Sequence, residues 1–148
     1  MQMQQPTRRP ELERLDAFVG EWRMGASLET AADVRARTVF EWLHGEQFLV
    51  QRWEVEHPDA PDGIAIIGFD SSRDAYSQHY FDSRGVARVY EMSFSDGVWK
   101  LWREAPGFSQ RFTGTFSADG NTIDGRWESS ADGSSWEHDF DLTYTKVT

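Results

Sequence analysis

The stretch WEHDFDLTYT, residues 136–145, shows the clearest alternation of apolar and polar residues in the chain. One face carries Trp136, His138, Phe140, Leu142 and Tyr144, whereas the other carries only acidic residues and threonines. A period of two residues is typical of a β-strand with one face in a core. The stretch therefore predicts a final strand whose aromatic face points inward.

Similar short strands fill the chain from Trp22 onward, and turn residues separate them. The turns recur at hairpin spacing and are built from Asp, Asn, Ser, Pro and Gly, at 82–85, 95–97, 105–107, 119–121 and 132–133. Several of these residue types tolerate the positive φ that tight hairpins need. About ten strands follow one another as a meander. The pattern predicts an all-β fold, a closed antiparallel up-and-down barrel.

The segment before the first strand has a different period. Pro10 suits the start of a helix, and Leu12, Leu15 and Phe18 follow at helical spacing. We therefore predict a short amphipathic helix over 10–19 that covers one mouth of the barrel.

Length, charge and composition limit the domain organisation, the location and the possible partners of the protein. The 148 residues predict a disordered leader over 1–9 and a single domain over 10–148. The formal net charge is −10 and no basic stripe is present, which argues against nucleic acid or an anionic membrane as partner. The sequence has no cysteine, no apolar run of membrane-spanning length and no secretory signal. We expect a cytoplasmic monomer or homodimer whose partner is a small organic molecule.

The faces predicted to point inward carry a small polar set among aromatic residues. The residues that we predict to bind a ligand are Arg88, Tyr90, Arg103, Gln110, Trp127, His138 and Tyr144. A buried arginine keeps its charge and needs a partner. An anionic ligand, water, or a glutamate such as Glu54 or Glu104 would satisfy Arg88 and Arg103. The first alternative predicts a barrel that binds an apolar or aromatic molecule with an anionic end.

Several stretches resemble known families. A short helix, then FVGEW at 18–22, then about ten meandering strands resembles the calycin superfamily of lipocalins and fatty-acid-binding barrels. An uncharacterised bacterial family with a lipocalin-like barrel is similar in the stretches FEWL (40–43), FLVQRW (48–53), HYFD (79–82), 108–112 and 136–147. The resemblance implies the barrel fold and a bacterial source. It implies no activity and no catalytic residues.

Three other functions stay open from the sequence. His138 or His79 would act as the general base of a barrel enzyme, with Arg88, Arg103 or Tyr90 polarising the substrate. His138 is also similar in placement to the haem histidine of nitrobindin-like barrels, although their glycine-rich first strand is missing. Otherwise we expect no cofactor, and no metal, since calcium-loop spacing is absent. The third alternative is a barrel filled by its own aromatic side chains.

Overall fold

The structure, a computed structural model, describes residues 6–28 and 31–147, without the side chains of 27–28 and 31–34. It begins with α1 (Pro10–Arg14), which continues as a 3-10 helix (Leu15–Phe18). No helix within these described residues is long and apolar enough to cross a membrane. The strands are β1 (Gly20–Leu28), β2 (Ala31–Trp42), β3 (Leu49–Val55), β4 (Gly63–Asp70), β5 (Ala75–Asp82), β6 (Ala87–Ser95), β7 (Val98–Arg103), β8 (Ser109–Phe116), β9 (Thr122–Ser130) and β10 (Glu137–Lys146).

The ten strands form one closed barrel. Each strand pairs antiparallel with the next in sequence, and β10 returns to β1, where Lys146 lies opposite Trp22. Between β6 and β7, Asp96 and Gly97 form a two-residue hairpin and both have positive φ, 52° and 74°. Such a pair is typical of a type I′ turn, whose twist matches that of the flanking strands. The predicted closed up-and-down barrel is confirmed.

The N-terminal helices close one end of the barrel. Their apolar residues Leu12, Leu15 and Phe18 are buried. Four barrel rings surround the ring of Phe18 at centroid distances of 4.9–5.2 Å, those of Phe40, Phe94, Trp99 and Phe116. The indole nitrogen of Trp22 donates a hydrogen bond to the Phe18 carbonyl at 2.8 Å. The predicted N-terminal helix is confirmed, with a tighter 3-10 turn at its end.

The described part of the predicted leader touches this closed end. Both terminal nitrogens of Arg8 donate to the carboxylate of Asp16, at 2.9 and 2.8 Å. The Arg8 guanidinium also lies over the Trp42 ring, 5.4 Å from its centroid. Residues 1–5 of the leader lie outside the described residues.

A bulge in β10 reverses the side-chain phase at the start of that strand. His138 pairs with Glu128, and Phe140 pairs with Trp127, so Asp139 is an extra residue between two pairs. An extra residue puts the side chains that precede it on the opposite face from the one that strict alternation predicts. The inward face predicted for β10 therefore holds from Phe140 onward and fails at His138.

Candidate functional site

The half of the barrel away from the helix contains a cavity of about 460 Å³. Trp99, which packs edge-on against Phe18, lies at the closed end of this cavity. Its open end is formed by 59–61 in the loop between β3 and β4, by Phe108 before β8 and by Asp139. A barrel filled throughout by its own side chains does not fit this interior.

Five of the seven residues predicted to bind a ligand line the cavity, namely Arg88, Tyr90, Gln110, Trp127 and Tyr144. They come from β6, β8, β9 and β10, in strand segments where the alternation is regular. The sequence thus placed them in one interior, and their role in binding stays a prediction.

Arg103 does not line the cavity, although its pairing with the inward-facing Gln110 gives it the predicted phase. It is the last residue of β7, opposite Gln110. Because the strand ends there, the side chain turns to the following loop, where Nη1 donates to the Phe108 carbonyl at 3.5 Å. Of the two arginines expected to meet inside the barrel, only Arg88 reaches the cavity.

The inward position predicted for His138 is wrong. The bulge at Asp139 places its imidazole on the outer face, where Nε2 lies 2.8 Å from Oδ1 of Asp141. Trp136, predicted to be in the core, also lies outside, and the Arg111 guanidinium stacks 4.1 Å from its ring centroid. These side chains therefore belong to the barrel surface rather than to the site.

A hydrogen-bonded cluster lies in the open half of the cavity. Oε1 of Gln110 accepts hydrogen bonds from Nη1 of Arg88 at 3.1 Å and from the hydroxyl of Tyr90 at 2.9 Å. The Arg88 guanidinium also lies over the ring of Phe108, 5.5 Å from its centroid. Gln110 therefore holds both side chains at a fixed place in the wall.

Arg88 differs in its partners from the arginines that form ion pairs. Six arginines form ion pairs with carboxylates, namely Arg8, Arg37, Arg52, Arg73, Arg84 and Arg111. Arg88 is partly buried, and none of the ion pairs among the described side chains includes it. Its partners are a neutral amide and an aromatic ring. The Glu54 pairing considered from the sequence is not formed.

A second network stands at the open end, around Asp82. Its carboxylate accepts hydrogen bonds from the Tyr80 hydroxyl at 2.6 Å and from Nη2 of Arg84 at 2.7 Å. Burial by itself raises the pKa of Asp82, but the hydrogen bonds from Arg84, Tyr80 and the backbone of Val86 outweigh it and lower the pKa well below the ordinary range. Burial and the adjacent Asp82 raise the pKa of Tyr80. Both groups therefore keep their ordinary charge states at neutral pH.

The barrel interior carries further polar groups of two kinds. Nε2 of Gln51 donates a hydrogen bond to Oγ1 of Thr38 at 3.2 Å, and Oγ1 of Thr38 donates one to the Arg52 carbonyl at 3.0 Å. Burial raises the pKa of Tyr144, and Gln51 offsets part of this rise. By contrast, Oε1 of Gln78 and Nε1 of Trp99 are buried without a hydrogen-bond partner among the described residues. Both residues line the cavity.

Aromatic rings form much of the wall, and glycines make room for them. Gly114 and Gly125 face each other across β8 and β9. A Cβ on Gly125 would stand 2.5 Å from the ring of Phe112, and one on Gly114 would stand 2.9 Å from it. The Phe112 ring in turn packs against Trp99 and Trp127, at 4.9 and 5.1 Å between centroids. The absence of side chains at these two glycines therefore leaves room for the Phe112 ring between Trp99 and Trp127.

Comparison with known proteins agrees with this architecture. A family model described as a protein of unknown function, DUF1579, matches residues 7–99. The chain belongs to the DUF1579 family. A crystal structure of Rv2717c from M. tuberculosis is similar, with a TM-score of 0.65 over 95% of this chain and 99% of that chain. The two sequences are 15% identical, so this similarity concerns the fold alone. No curated protein matches the sequence.

The part of the chain that matches the DUF1579 family contains only part of the cavity wall. Arg88, Tyr90, Gln78 and Trp99 lie within residues 7–99, whereas Gln110 lies beyond them. The cavity is thus closed by strands from both sides of the match limit.

Sequence reasoning missed Gln78 and Tyr80 on β5 and Gln51 and Trp53 on β3. On β5 both faces carry aromatic and polar residues, so the alternation does not rank them. The pairing of Gln78 with Tyr90 decides the question, because directly paired residues point to the same side of the sheet. Trp53 pairs with Gly63, where a Cβ would stand 2.1 Å from the indole, a close approach that is visible only once the pairing is known.

Neither histidine proposed as a general base lines the cavity. His79 neighbours the inward-facing Gln78 and Tyr80, so it points outward and is exposed, as is His138. Among the described residues there is also no group of three or more side chains placed to hold a metal ion. The cavity offers hydrogen bonding, aromatic contact and one cation that no carboxylate balances.

Proposed function

We propose that this barrel binds a small organic anion with an apolar or aromatic body, and that Arg88 meets its anionic group. The observation that carries the proposal is that the partners of Arg88, namely Gln110 and Phe108, are both neutral. All three residues line a cavity of about 460 Å³. The proposal concerns binding rather than catalysis, since neither His79 nor His138 lines the cavity.

The charge of Arg88 supports an anionic guest. A guanidinium stays protonated at all physiological pH values, and its partial burial costs hydration energy. Gln110 supplies one acceptor, which leaves the other N–H groups of the guanidinium to a ligand. A carboxylate matches the planar fork of these donors and forms charge-assisted hydrogen bonds with it.

The wall supports an apolar or aromatic body. Trp53, Trp99, Phe112, Trp127 and Leu142 line the cavity. At about 30 Å³ per water, the volume corresponds to roughly 15 water molecules, so a ligand of about that many non-hydrogen atoms fits. Pockets that bind small molecules are usually apolar with a few placed polar groups, as here.

Calorimetric titration tests the proposal with dodecanoate and biphenyl-4-carboxylate, each beside its neutral primary amide. We expect saturable binding of at least one carboxylate, and weaker binding of its amide. Arg88→Gln should weaken carboxylate binding about tenfold or more, because a hydrogen bond to a charged group contributes about 1.5–3 kcal/mol. Amide binding should change much less.

The matched control is Arg103→Gln, which removes a neighbouring arginine that does not line the cavity. We expect carboxylate binding to this variant to stay within about twofold of the wild type, since an exposed charge contributes little. Equal loss in both variants would show a general effect of charge. Absence of saturable binding to any of the carboxylates would refute the proposed function.

The remaining expectations are also proposals. Membership of the calycin superfamily is supported by the helix-closed meander and by the position of Trp22 at the start of β1. We also propose a bacterial, cytoplasmic protein that is a monomer or homodimer and needs no cofactor, and the cysteine-free composition supports the cytoplasmic location. Small-angle scattering and size-exclusion chromatography test the oligomeric state.

A further inference from the structure

We propose that two copies of this chain pair through an apolar patch on the outside of the barrel, with β5 at its centre. The patch covers the outer face of β4–β7 and the segment just before β3. We call it the β5 patch, and its members are Phe48, Ile64, Ile66, Phe81, Val89 and Trp102. None of these side chains lines the cavity, so the proposal goes beyond ligand binding.

The register of the strands brings the centre of the patch together. Ile64 of β4 lies opposite Phe81 of β5. Two residues along each strand, His79 of β5 stands between Ile66 and Val89. Directly paired residues point to the same side of the sheet, so these side chains form one continuous surface across β4, β5 and β6.

Two aromatic rings extend the patch at its edges. The ring of Phe48 lies over Gly68 of β4, where a Cβ would stand 2.8 Å from it. Gly68 is two residues from Ile66 and therefore on the same face of the strand. At the other edge, Trp102 of β7 is a diagonal neighbour of Val89, at a spacing of about 7–8 Å that an aromatic side chain bridges.

The opposite side of the barrel is polar. β10 stands farthest from β5, with four strands between them in either direction. Its outward residues after the bulge are Asp141, Thr143 and Thr145. An antiparallel sheet that faces water usually shows such a polar outer face. Exposed apolar side chains that gather on one side instead mark an interaction surface.

The exposed area of the patch fits a contact between two copies. Its four most exposed side chains, Phe48, Phe81, Val89 and Trp102, are 39–54% exposed. At about 150–250 Å² for a whole aromatic side chain and less for valine, these four expose roughly 350 Å². A standard interface buries about 800 Å² per partner, of which a little more than half is apolar. The β5 patch therefore supplies most of the apolar area that a stable dimer needs.

The charges around the patch favour a second copy as the partner. Three ion pairs border it, Arg52 with Glu41, Arg73 with Glu91 and Arg111 with Glu128. Each pair is neutral, whereas the whole chain has a formal net charge of −10, which makes two copies repel each other. A twofold dimer brings the same patch from both copies together, so the patch must tolerate itself. A surface without excess charge does so, and it offers no attraction to a strongly basic or acidic partner.

Sedimentation velocity of the full chain tests the proposal. We expect a concentration-dependent species with twice the chain mass of 17.1 kDa. Val89→Glu should raise the dissociation constant of this dimer about a hundredfold or more, because both copies then bury an unpaired charge. Phe81→Ser adds no charge and should raise it about tenfold or more through the loss of apolar area. Thr145→Glu is the matched control on β10, and its effect should stay below about threefold.

Spin labels locate the contact by a second measurement. Since the chain has no cysteine, Ala87→Cys and Thr145→Cys each give one nitroxide label per copy. Ala87 lies opposite Phe81, at the edge of the patch, so its labels should be close together in the dimer. The labels at Thr145 lie on the far sides of the two barrels and should be much farther apart.

Several results would overturn the proposal and leave the proposed ligand binding untouched. They are a monomer at every concentration, a dimer that Val89→Glu leaves unchanged, equal weakening by Thr145→Glu, or labels at Thr145 that are closer than those at Ala87. A monomer that floats with phosphatidylcholine vesicles, and loses this in Val89→Glu, would assign the patch to a lipid surface instead.

Discussion

The hydroxyl of Tyr90 donates a hydrogen bond to Oε1 of Gln110 at 2.9 Å, and the same oxygen accepts a hydrogen bond from Arg88. One neutral amide thus holds the arginine of the proposed anion site. An amide fixes the guanidinium without neutralising it, so the positive charge stays available to a ligand. A carboxylate at the same place would remove that property.

The first prediction exchanges this amide for a carboxylate. Gln110→Glu should pair internally with Arg88 and weaken the binding of dodecanoate or biphenyl-4-carboxylate by about tenfold or more, because the ligand then competes with a charge-assisted bond. Binding of the neutral amide probes should change little. Tyr90→Phe is the control, since it removes one hydrogen bond to Gln110 but keeps Gln110 and Arg88. It should weaken carboxylate binding by less than about threefold, because a hydrogen bond between neutral groups contributes little net free energy. Carboxylate affinities that are unchanged in Gln110→Glu would contradict the assignment of Arg88.

The second prediction concerns His138. Its contact with Asp141 lies on the outer face, so His138→Ala should leave the affinity for carboxylate probes unchanged and alter the free energy of unfolding by less than about 1 kcal/mol. A titration with haem, followed by the Soret band, should give the same spectrum for the variant and the wild type. A one-to-one haem complex that His138→Ala abolishes would show that the histidine reaches an interior site.

Different signals determine how far the sequence predicts this site. On β6 the alternation runs without interruption, and Arg88 and Tyr90 are correctly placed in the interior. On β10 the acidic residues 137, 139 and 141 look alike, so nothing local marks Asp139 as the extra residue. The bulge appears only when the pairing with β9 is known.

The existence of the cavity was also beyond the sequence pattern. Alternation assigns a side chain to the interior but does not say whether the interior is full. The remaining volume depends on how the aromatic rings pack, and the Phe112 ring packs against Gly114 and Gly125 on β8 and β9. Whether buried polar atoms such as Oε1 of Gln78 and Nε1 of Trp99 find hydrogen-bond partners depends likewise on the packing of several strands.

The third prediction tests the packing of the Phe112 ring against Gly125. Gly125→Ala places a Cβ 2.5 Å from that ring and 2.7 Å from the carbonyl of Leu142, so the wall must shift. We expect a loss of about 1–3 kcal/mol in the free energy of unfolding, as for other overpacked cores. Gly25→Ala is the matched control, since no atom lies within 4 Å of its Cβ, and it should be neutral or slightly stabilising. Chemical denaturation of both variants measures the difference, and equal stabilities would contradict the packing described.

The last prediction concerns pH and the side chain of Asp82, which has no exposed surface. Burial raises its pKa, but hydrogen bonds from Arg84, Tyr80 and backbone N–H groups lower it below the ordinary value of about 3.9. A carboxyl whose pKa is lowered by folding stabilises the protein above its unfolded pKa, and this contribution is lost as the pH falls through the folded pKa. Asp82→Asn should therefore lower the melting temperature at pH 7 by several degrees, and its difference from the wild type should shrink below about pH 4. Tyr80→Phe removes one of the hydrogen bonds and should show a smaller loss with the same pH trend. Melting curves of the three proteins between pH 2 and 7 measure this, and a difference that does not change with pH would show that the charge of Asp82 contributes nothing to folding.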